Sequence, residues 1–257
     1  MTDILFRPER QQEILSLIQQ RGRVSVGDLA AHFLVSEVTV RADLQDLAER
    51  KLIVRTHGGA VCSPRTLQEL SLADRRRRQV GEKDRIGAAG AAMVGDNEAL
   101  ILDCSSTALA VARHLPRHLP LTVLTNSLAI ALELSDSPAM KVFLPGGTLR
   151  RDMGSITGGF GLEAFEGFHI QKGFFGAFGI SITEGLTDSS PEEAELRRRL
   201  VRMCAQVIAV VDYSKWGRVG LASSAGLREI HTIITDRQAP ADMVKKAKKM
   251  GVGVRLV

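Results

Sequence analysis

Apolar residues recur at the spacing of one helical face in three short stretches near the start of the chain. The first stretch runs over residues 14–18, the second over 29–33 and the third over 40–47. Apolar positions three and four residues apart lie on one side of a helix. The pattern therefore predicts three short helices that share one small core, within a first domain that spans residues 1–62.

Two serines mark where the second and third of these helices should begin. Ser25 precedes Asp28 by three residues, in the form of a capping box, and Ser36 stands just before the third apolar stretch. A serine at such a position accepts a hydrogen bond from a backbone amide of the first helical turn. Only Leu34 and Val35 remain between the two helices. So short a turn predicts a helix-turn-helix, with the third helix as the recognition helix.

The face of the third helix that lies opposite its apolar residues should meet DNA. The N-terminal part of a recognition helix reaches base edges, where Arg suits guanine or phosphate and Gln suits adenine. Residues 52–55 then have strand character, and Gly58-Gly59 permits a turn, so a hairpin wing should follow and face phosphates. The predicted DNA-binding residues are Ser36, Glu37, Val38, Thr39, Arg41, Gln45, Arg55, Thr56, His57 and Gly58.

The charge of this region bears on how it would bind DNA. Residues 1–60 contain eight Lys and Arg against eight Asp and Glu, so they carry no net charge. DNA affinity that is independent of sequence comes from cations that replace counterions. We therefore expect the cations to gather on one face, or the protein to bind its double-stranded operator as a homodimer or homotetramer. The alternative is a helical interaction module with a solvated, charged face.

Length and composition leave room for a second, larger domain. The chain has 257 residues, of which 44% are apolar and 4% aromatic, as in ordinary globular proteins. No apolar run approaches the ~20 residues of a membrane span, and the chain does not open on a signal peptide, so a cytoplasmic location is expected. Cys62, Cys104 and Cys204 are isolated, which predicts free thiols with neither a metal nor a cofactor.

Residues 63–82 are predicted to form a linker or a connecting helix. Polar residues follow Pro64, and four arginines then occupy positions 75–78. The arginine run is interpreted as a solvated linker face, with contact to the DNA backbone as the alternative.

From residue 83 to residue 257, short apolar runs alternate with helical patterns. This alternation predicts an α/β domain built on a parallel sheet. The predicted strands cover residues 99–102, 121–124, 141–144, 173–178, 207–211 and 230–234. In such sheets, ligands bind beyond the carboxyl ends of the strands.

Polar residues follow several of these predicted strands. Hydroxyls and free amides at a helix start can cradle an anion, adjacent glycines allow a close backbone approach, and Arg150 and Lys215 could offset a phosphate charge. Such a set suits a small phosphorylated sugar or polyol. The predicted effector-binding residues are Asp103, Ser105, Ser106, Thr107, Thr125, Asn126, Ser127, Gly146, Gly147, Arg150, Asp188 and Lys215.

Each of these features also has a simpler interpretation. Residues 105–107 could be a plain helix cap, Gly146-Gly147 a turn, and Lys215 one more exposed lysine. Cys104 is interpreted as a small packing residue rather than a nucleophile, because no base is evident beside it.

These motifs closely resemble those of the DeoR family of bacterial transcriptional regulators. Ser36, Thr39, residues 40–41 and 43–44, and residues 55–60 match its N-terminal pattern, whereas Ala42 stands where the family usually has a second arginine. Residues 83–215 look like the family's sensor domain, with Cys104 where a glycine or serine is frequent. The resemblance implies a winged helix-turn-helix, a second domain similar in fold to ribose-5-phosphate isomerase, and repression that a phosphorylated sugar relieves.

An enzyme related to the sugar-phosphate isomerases is the main alternative. Isomerisation needs a base beside the carbon-bound proton and an acid or lysine for the enediolate. Glu184 and Asp188 could serve, but Glu192 and Glu193 are expected in the first turn of a helix that runs to Cys204, where negative charge is favourable. Binding without turnover is therefore preferred. A protein-interaction module without a ligand is a third possibility.

Overall fold

The computed structural model describes residues 6–21, 23–50, 52–56, 58–62, 70–165 and 167–257. The described chain divides into two compact units. One contains the described residues up to 62 together with residues 217–219, and the other contains residues 70–216 and 220–257. Of the helices described, none is long and apolar enough to cross a membrane.

The first unit contains three helices and a small antiparallel sheet. Its elements are α1 (Arg7–Arg21), β1 (Arg23–Ser25), α2 (Val26–Phe33), α3 (Glu37–Glu49), β2 (Ile53–Thr56) and β3 (Gly59–Cys62), with strand order β1-β3-β2. Ile14, Leu29 and Leu44, one from each helix, are buried in a common core. Ser25 accepts the Asp28 amide at 3.0 Å, and Ser36 accepts the Thr39 amide at 3.2 Å. The predicted helices, caps and wing are thus confirmed.

The second unit is a three-layer α/β structure with two small additions. Its elements are α4 (Leu72–Arg77), α5 (Val80–Ala91), β4 (Ala99–Leu102), α6 (Ser106–His114), β5 (Thr122–Thr125), α7 (Leu128–Ser135), β6 (Lys141–Phe143), β7 (Gly146–Arg150), β8 (Ser155–Phe160), β9 (Ile170–Phe175), β10 (Gly179–Ser181), β11 (Gly185–Asp188), α8 (Pro191–Arg202), β12 (Cys204–Val210), β13 (Ala222–Ala225), β14 (Thr232–Thr235), α9 (Ala241–Lys249) and β15 (Gly253–Leu256).

Seven parallel strands form the central sheet, in the order β15-β14-β12-β9-β4-β5-β6. Successive residues of its middle strands point to opposite faces, so Leu100 and Phe174 belong to one core cluster while Ile101 and Phe175 belong to the other. Strand β5 lies on one side of β4, and β9 lies on the other. The carboxyl ends of β4 and β9 therefore meet where the strand order reverses, the usual ligand position in such sheets.

The parallel sheet was predicted, whereas β15, the hairpin β7–β8 and the small sheet β10-β11-β13 were not. Gly146 and Gly147 lie within β7 and not in a turn after β6. At Gly147, φ is +151° and an added Cβ would lie 2.1 Å from the Thr157 carbonyl oxygen, so only glycine fits this irregular pairing of β7 with β8. Of the predicted linker, residues 72–77 form α4, and residues 63–69 lie outside the described residues.

Candidate DNA interface and effector site

The exposed face of α3 carries most of the predicted base-contacting residues. Glu37, Arg41 and Gln45 are exposed, Val38 is 73% exposed, and Thr39 is half-buried. The opposite face packs Val40, Leu44 and Leu47 into the core. Ala42 is also exposed, so this face presents a methyl group there. The predicted recognition helix therefore has a free surface at its N-terminal half.

The cations of this surface bond to neighbouring side chains. Arg41 Nη2 donates to Glu37 Oε2 at 2.7 Å, and Arg55 Nη1 of the wing donates to Gln45 Oε1 at 2.7 Å. An exposed ion pair is worth roughly 1 kcal/mol or less. Arg41 can therefore leave Glu37 for a phosphate or a base at little cost. Of the other predicted contacts, Thr56 and Gly58 are exposed, and His57 lies outside the described residues.

Asp43 has a structural role that the sequence reasoning missed. Its side chain is 1% exposed, and its carboxylate accepts Arg10 Nε at 2.6 Å and pairs with Arg7 Nε at 3.3 Å. Both arginines belong to α1, so the pair fixes α1 against the recognition helix. Asp43 comes three residues after Val40 and one before Leu44. That spacing places the carboxylate of Asp43 on the buried face of the helix, so the sequence alone could have predicted a buried partner for it.

In the second unit, Asp103 lies at the point where the strand order of the sheet reverses. It follows β4 and is 2% exposed. Its Oδ1 accepts the Ser105 amide at 3.0 Å, while Oδ2 accepts the Gly176 amide, which follows β9, at 3.0 Å. A Cβ on Gly176 would lie 2.4 Å from Ser105 Cβ, so the close approach needs glycine. The carboxylate thus ties together the ends of the two central strands.

Arg197 of α8 brings two of the predicted site residues together, and the sequence reasoning did not single it out. Its Nε and Nη2 donate to Asp103 Oδ2 at 3.0 and 2.9 Å, and its Nη1 donates to Asp188 Oδ1. Burial alone would lower the pKa of Arg197, but the charges of Asp188 and Asp103 outweigh burial and raise that pKa well above its ordinary value. The guanidinium is therefore permanently charged and shared by two carboxylates.

Arg150 of β7 also has a carboxylate partner. It forms an ion pair with Glu193, which is 4% exposed and lies in the first turn of α8, as predicted. The charge of Arg150 is therefore already offset within the protein.

The hydroxyls after the strands mainly serve the local backbone. Ser105 Oγ caps α6 by accepting the Ala108 amide at 3.0 Å, and Ser127 Oγ caps α7 by accepting the Ile130 amide at 3.3 Å. Thr125 Oγ1 accepts the Ser127 amide at 3.1 Å. Ser106 and Thr107 are buried in the first turn of α6. Ser105 is therefore a helix cap, as the simpler interpretation predicted.

Two buried polar atoms near these caps have no hydrogen-bond partner within the described part of the chain. They are Asn126 Oδ1 and Ser155 Oγ, in residues that are 4% and 0% exposed. Asn126 follows β5 and makes two hydrogen bonds with Ile156. Its side-chain Nδ2 donates to the Ile156 carbonyl oxygen at 3.1 Å, and its backbone carbonyl oxygen accepts the Ile156 amide at 2.8 Å. Buried polar atoms are normally paired. Because an amide oxygen only accepts, Asn126 Oδ1 needs a donor from elsewhere.

Lys215 lies after β12 in a short 3-10 turn that spans Tyr213–Lys215 and is capped by Asp212. It is half-buried. Lys83, at the predicted start of the second domain, donates through Nζ to the carbonyl oxygens of Arg75 at 2.6 Å and Arg78 at 2.7 Å. Burial lowers the pKa of Lys83, and the charge of Asp212 opposes that effect. Lys83 thus joins the end of α4 to the start of α5.

The carboxylates that an isomerase mechanism would use are engaged or exposed. Asp188 bonds to Arg197 and Glu193 pairs with Arg150, while Glu184 is exposed. A hydrogen bond from Ser190 lowers the pKa of Glu192 and so weakens it as a base. This geometry favours binding over proton transfer.

The described cysteines behave as packing residues. Cys104 and Cys204 are free thiols, as predicted. The side chain of Cys62 is not among those that the structure describes. Burial raises the pKa of the Cys104 thiol, and it raises that of Cys204 to about 12. Within the described ranges, no three His, Cys, Asp or Glu side chains are grouped so as to hold a metal ion.

Comparison with known proteins identifies both units. Residues 10–66 match the model of the DeoR-like helix-turn-helix domain, and residues 78–237 match that of the DeoR C-terminal sensor domain. The chain is 35% identical to the HTH-type transcriptional regulator GolR of Listeria innocua, over 98% of this chain and 99% of that protein. It is 34% identical to the HTH-type transcriptional repressor GlcR of Bacillus subtilis, over 94% of each.

Two further similarities concern a repressor and a solved structure. The glycerol-3-phosphate regulon repressor of Escherichia coli K12 is 32% identical, over 92% of this chain and 94% of that one. Ribose 5-phosphate isomerase A from Neisseria gonorrhoeae is similar over 52% of each chain, with 13% identity and a TM-score of 0.39.

The buried Asp43 gives a prediction about stability. Asp43→Ala removes the carboxylate that Arg7 and Arg10 share, so the free energy of unfolding of the first unit should fall by ~3 kcal/mol, as for a broken buried ion pair. Urea unfolding followed by circular dichroism would measure the loss. Glu49→Ala is the control, because Glu49 is exposed and accepts a hydrogen bond from the exposed Gln45 at 2.9 Å, and it should cost ~1 kcal/mol or less. Equal losses in the two variants would contradict the assigned role.

A parallel prediction concerns Arg197. Arg197→Met leaves Asp103 and Asp188 facing each other without the shared guanidinium, so the second unit should lose ~3–5 kcal/mol of stability. The neighbouring Arg198→Met should cost ~1 kcal/mol or less, since Arg198 pairs with the exposed Glu195. Thermal unfolding of both variants would compare them, and a loss no greater for Arg197 than for Arg198 would refute the argument.

Proposed function

The chain belongs to the DeoR family of transcriptional regulators, and we propose that it represses an operon for sugar or polyol metabolism and that a phosphorylated sugar, bound by the second unit, controls it. The names of its relatives support this proposal. One is a transcriptional repressor, and another is named for the glycerol-3-phosphate regulon. All are named as regulators rather than enzymes, which sets the isomerase alternative aside.

The observation that carries the effector proposal is the pair of buried, unpartnered atoms at the carboxyl edge of the sheet. Asn126 Oδ1 and Ser155 Oγ have no partner among the described residues. A polyol hydroxyl would donate to the amide oxygen, and such a bond recovers much of the ~1–3 kcal/mol that an unmade buried bond costs. This chemistry fits a sugar better than it fits an apolar ligand.

Arg150 and Arg197 are paired with carboxylates. We assign the phosphate to the first turn of α6 and to Lys215, since both follow strands at the carboxyl edge of the sheet. A helix N-terminus carries a partial positive charge and unpaired amides, which favour an anion. In this assignment, Asp103, Gly176 and Arg197 position the binding loops, and Ser106, Thr107 and Lys215 meet the phosphate.

A chain of contacts within the second unit could carry the effect of binding toward the DNA-binding unit. The hairpin β7–β8 bonds to Asn126 through Ile156, and its turn bonds to α4. There the Leu72 amide donates to the Asp152 carbonyl oxygen at 2.9 Å, and Arg75 Nη2 lies 3.3 Å from Met153 Sδ. Helix α4 is the first described helix after the first unit. A ligand that moves the hairpin would therefore also move α4.

We further infer that the protein acts as a homodimer or homotetramer in the cytoplasm, where its operator lies. A helix-turn-helix protein reads two half-sites about one helical turn apart, which takes two copies. The first sixty residues carry no net charge, so a single helix-turn-helix unit would by itself have little affinity for the DNA backbone.

The recognition helix is tested by removing one exposed cation. Arg41→Ala should lower operator affinity by roughly 1–3 kcal/mol, or about 5- to 150-fold, because it removes a base or phosphate contact. The operator would be selected from a pool of random duplexes, and fluorescence anisotropy would measure binding. Arg50→Ala is the control, since Arg50 caps the far end of α3 and should retain nearly full affinity. Wild-type affinity in Arg41→Ala would remove Arg41 from the interface.

The effector is tested by thermal unfolding with glucose 6-phosphate, fructose 6-phosphate, fructose 1,6-bisphosphate, glycerol 3-phosphate and ribose 5-phosphate, each beside its parent sugar or polyol. A ligand of the native state raises the midpoint by mass action, so at least one phosphorylated compound should raise it where its parent does not. That compound should also shift operator affinity. Lys215→Ala should abolish the shift and spare DNA binding. If no phosphorylated compound acts, the effector proposal fails while the DNA-binding function stands.

A further inference from the structure

The net positive charge of the chain is confined to its last segment. Residues 237–257 contain six Lys and Arg and one Asp, a net charge of +5, which equals the formal net charge of the whole protein. The preceding 236 residues contain 28 Lys and Arg and 28 Asp and Glu, so they are neutral. The concentration of charge is therefore a property of the C-terminal segment and not of the DNA-binding unit.

The cations of this segment lie on one exposed surface of the second unit. Lys245, Lys248 and Lys249 of α9 are exposed, and so is Arg237, which follows β14. Among the described residues, no carboxylate forms an ion pair with any of these four side chains. In the first unit, Arg10 and Arg41 are paired with Asp43 and Glu37, whereas Arg55 donates to Gln45. The four unpaired cations form what we call the C-terminal basic surface.

The same four side chains border a groove of about 570 Å³. Val244 and Leu256 contribute to its lining, and none of the residues that line it is acidic. Nothing in the groove would repel an anion. A second copy of the chain would bring the same cations against one another, which like-charge repulsion opposes. The partner of this surface should therefore be an anion.

We propose that the C-terminal basic surface binds the phosphate backbone of DNA without reading its sequence. The protein's partner is a polyanion, and the unit that reads its sequence brings no net charge. Phosphate contacts supply most of the affinity that is independent of sequence. The surface would thus provide, from the second unit, the electrostatic attraction that the helix-turn-helix unit lacks.

The experiment compares two variants of the full chain that lose the same net charge. The first carries Arg237→Gln, Lys245→Gln, Lys248→Gln and Lys249→Gln. The matched control replaces four other exposed cations of the second unit with glutamine, namely Arg85, Lys141, Arg202 and Arg228. Anisotropy titrations with an operator duplex and a scrambled duplex, between 50 and 200 mM salt, would give the dependence of log K on log[salt] for each protein.

We expect the slope for the first variant to be less steep than that of the wild type by up to ~3.6, since each of the four lost phosphate contacts removes ~0.9. Its preference for the operator over the scrambled duplex should not change, and the control should keep a slope close to that of the wild type. An unchanged slope in the first variant would overturn the proposal, even if that variant lost repression in cells, which would point to an acidic protein partner. Equal changes in both variants would also overturn it, because net charge alone would then explain them.

Discussion

The buried charge of Arg197 is the interaction on which the candidate effector site depends. Its guanidinium joins Asp103, at the end of β4, to Asp188, at the end of β11. Burying three charges costs several kcal/mol each unless they are paired and fully hydrogen-bonded. Asp103 meets that condition by also accepting the amides of Ser105 and Gly176. The loops at the edge of the sheet are thus held in one arrangement before any ligand arrives.

A buried ion pair also fixes the arrangement of helices in the first unit. Asp43, on the buried face of the recognition helix, holds two arginines of α1, while on the exposed face Arg41 pairs with Glu37. The buried pair would be costly to break, and the exposed pair is worth roughly 1 kcal/mol or less. Helix orientation is therefore fixed, while the side chain that would contact DNA remains free to exchange partners. Rigid support beneath adaptable contacts is what binding to a defined sequence requires.

The sequence reasoning succeeded where signals are local and failed where partners are far apart along the chain. Ser25 and Ser36 were predicted as caps because a cap bonds within three residues. Asp103 was predicted at the carboxyl edge of the parallel sheet because it follows a strand, and it lies there beside the end of β9. That Asp103 and Asp188 share Arg197, 94 residues from Asp103, could not be predicted, since α8 reads as an ordinary amphipathic helix. The hairpin β7–β8 was missed because its glycines resemble a turn.

Charge compensation also limits how an effector can act on this protein. Asp103, Arg197, Arg150 and Glu193 already have charged partners, so an anionic ligand gains little by approaching them and would have to break existing pairs. Two buried atoms without a hydrogen-bond partner among the described residues are Asn126 Oδ1 and Ser155 Oγ. Ser155 begins β8 of the hairpin, and the turn of that hairpin bonds to α4. A ligand shifts a conformational equilibrium only by its difference in affinity for the two states. Hydroxyl bonds that form in one hairpin position and not in another would supply that difference. Under the proposed function, the sugar rather than its phosphate would then set the switch.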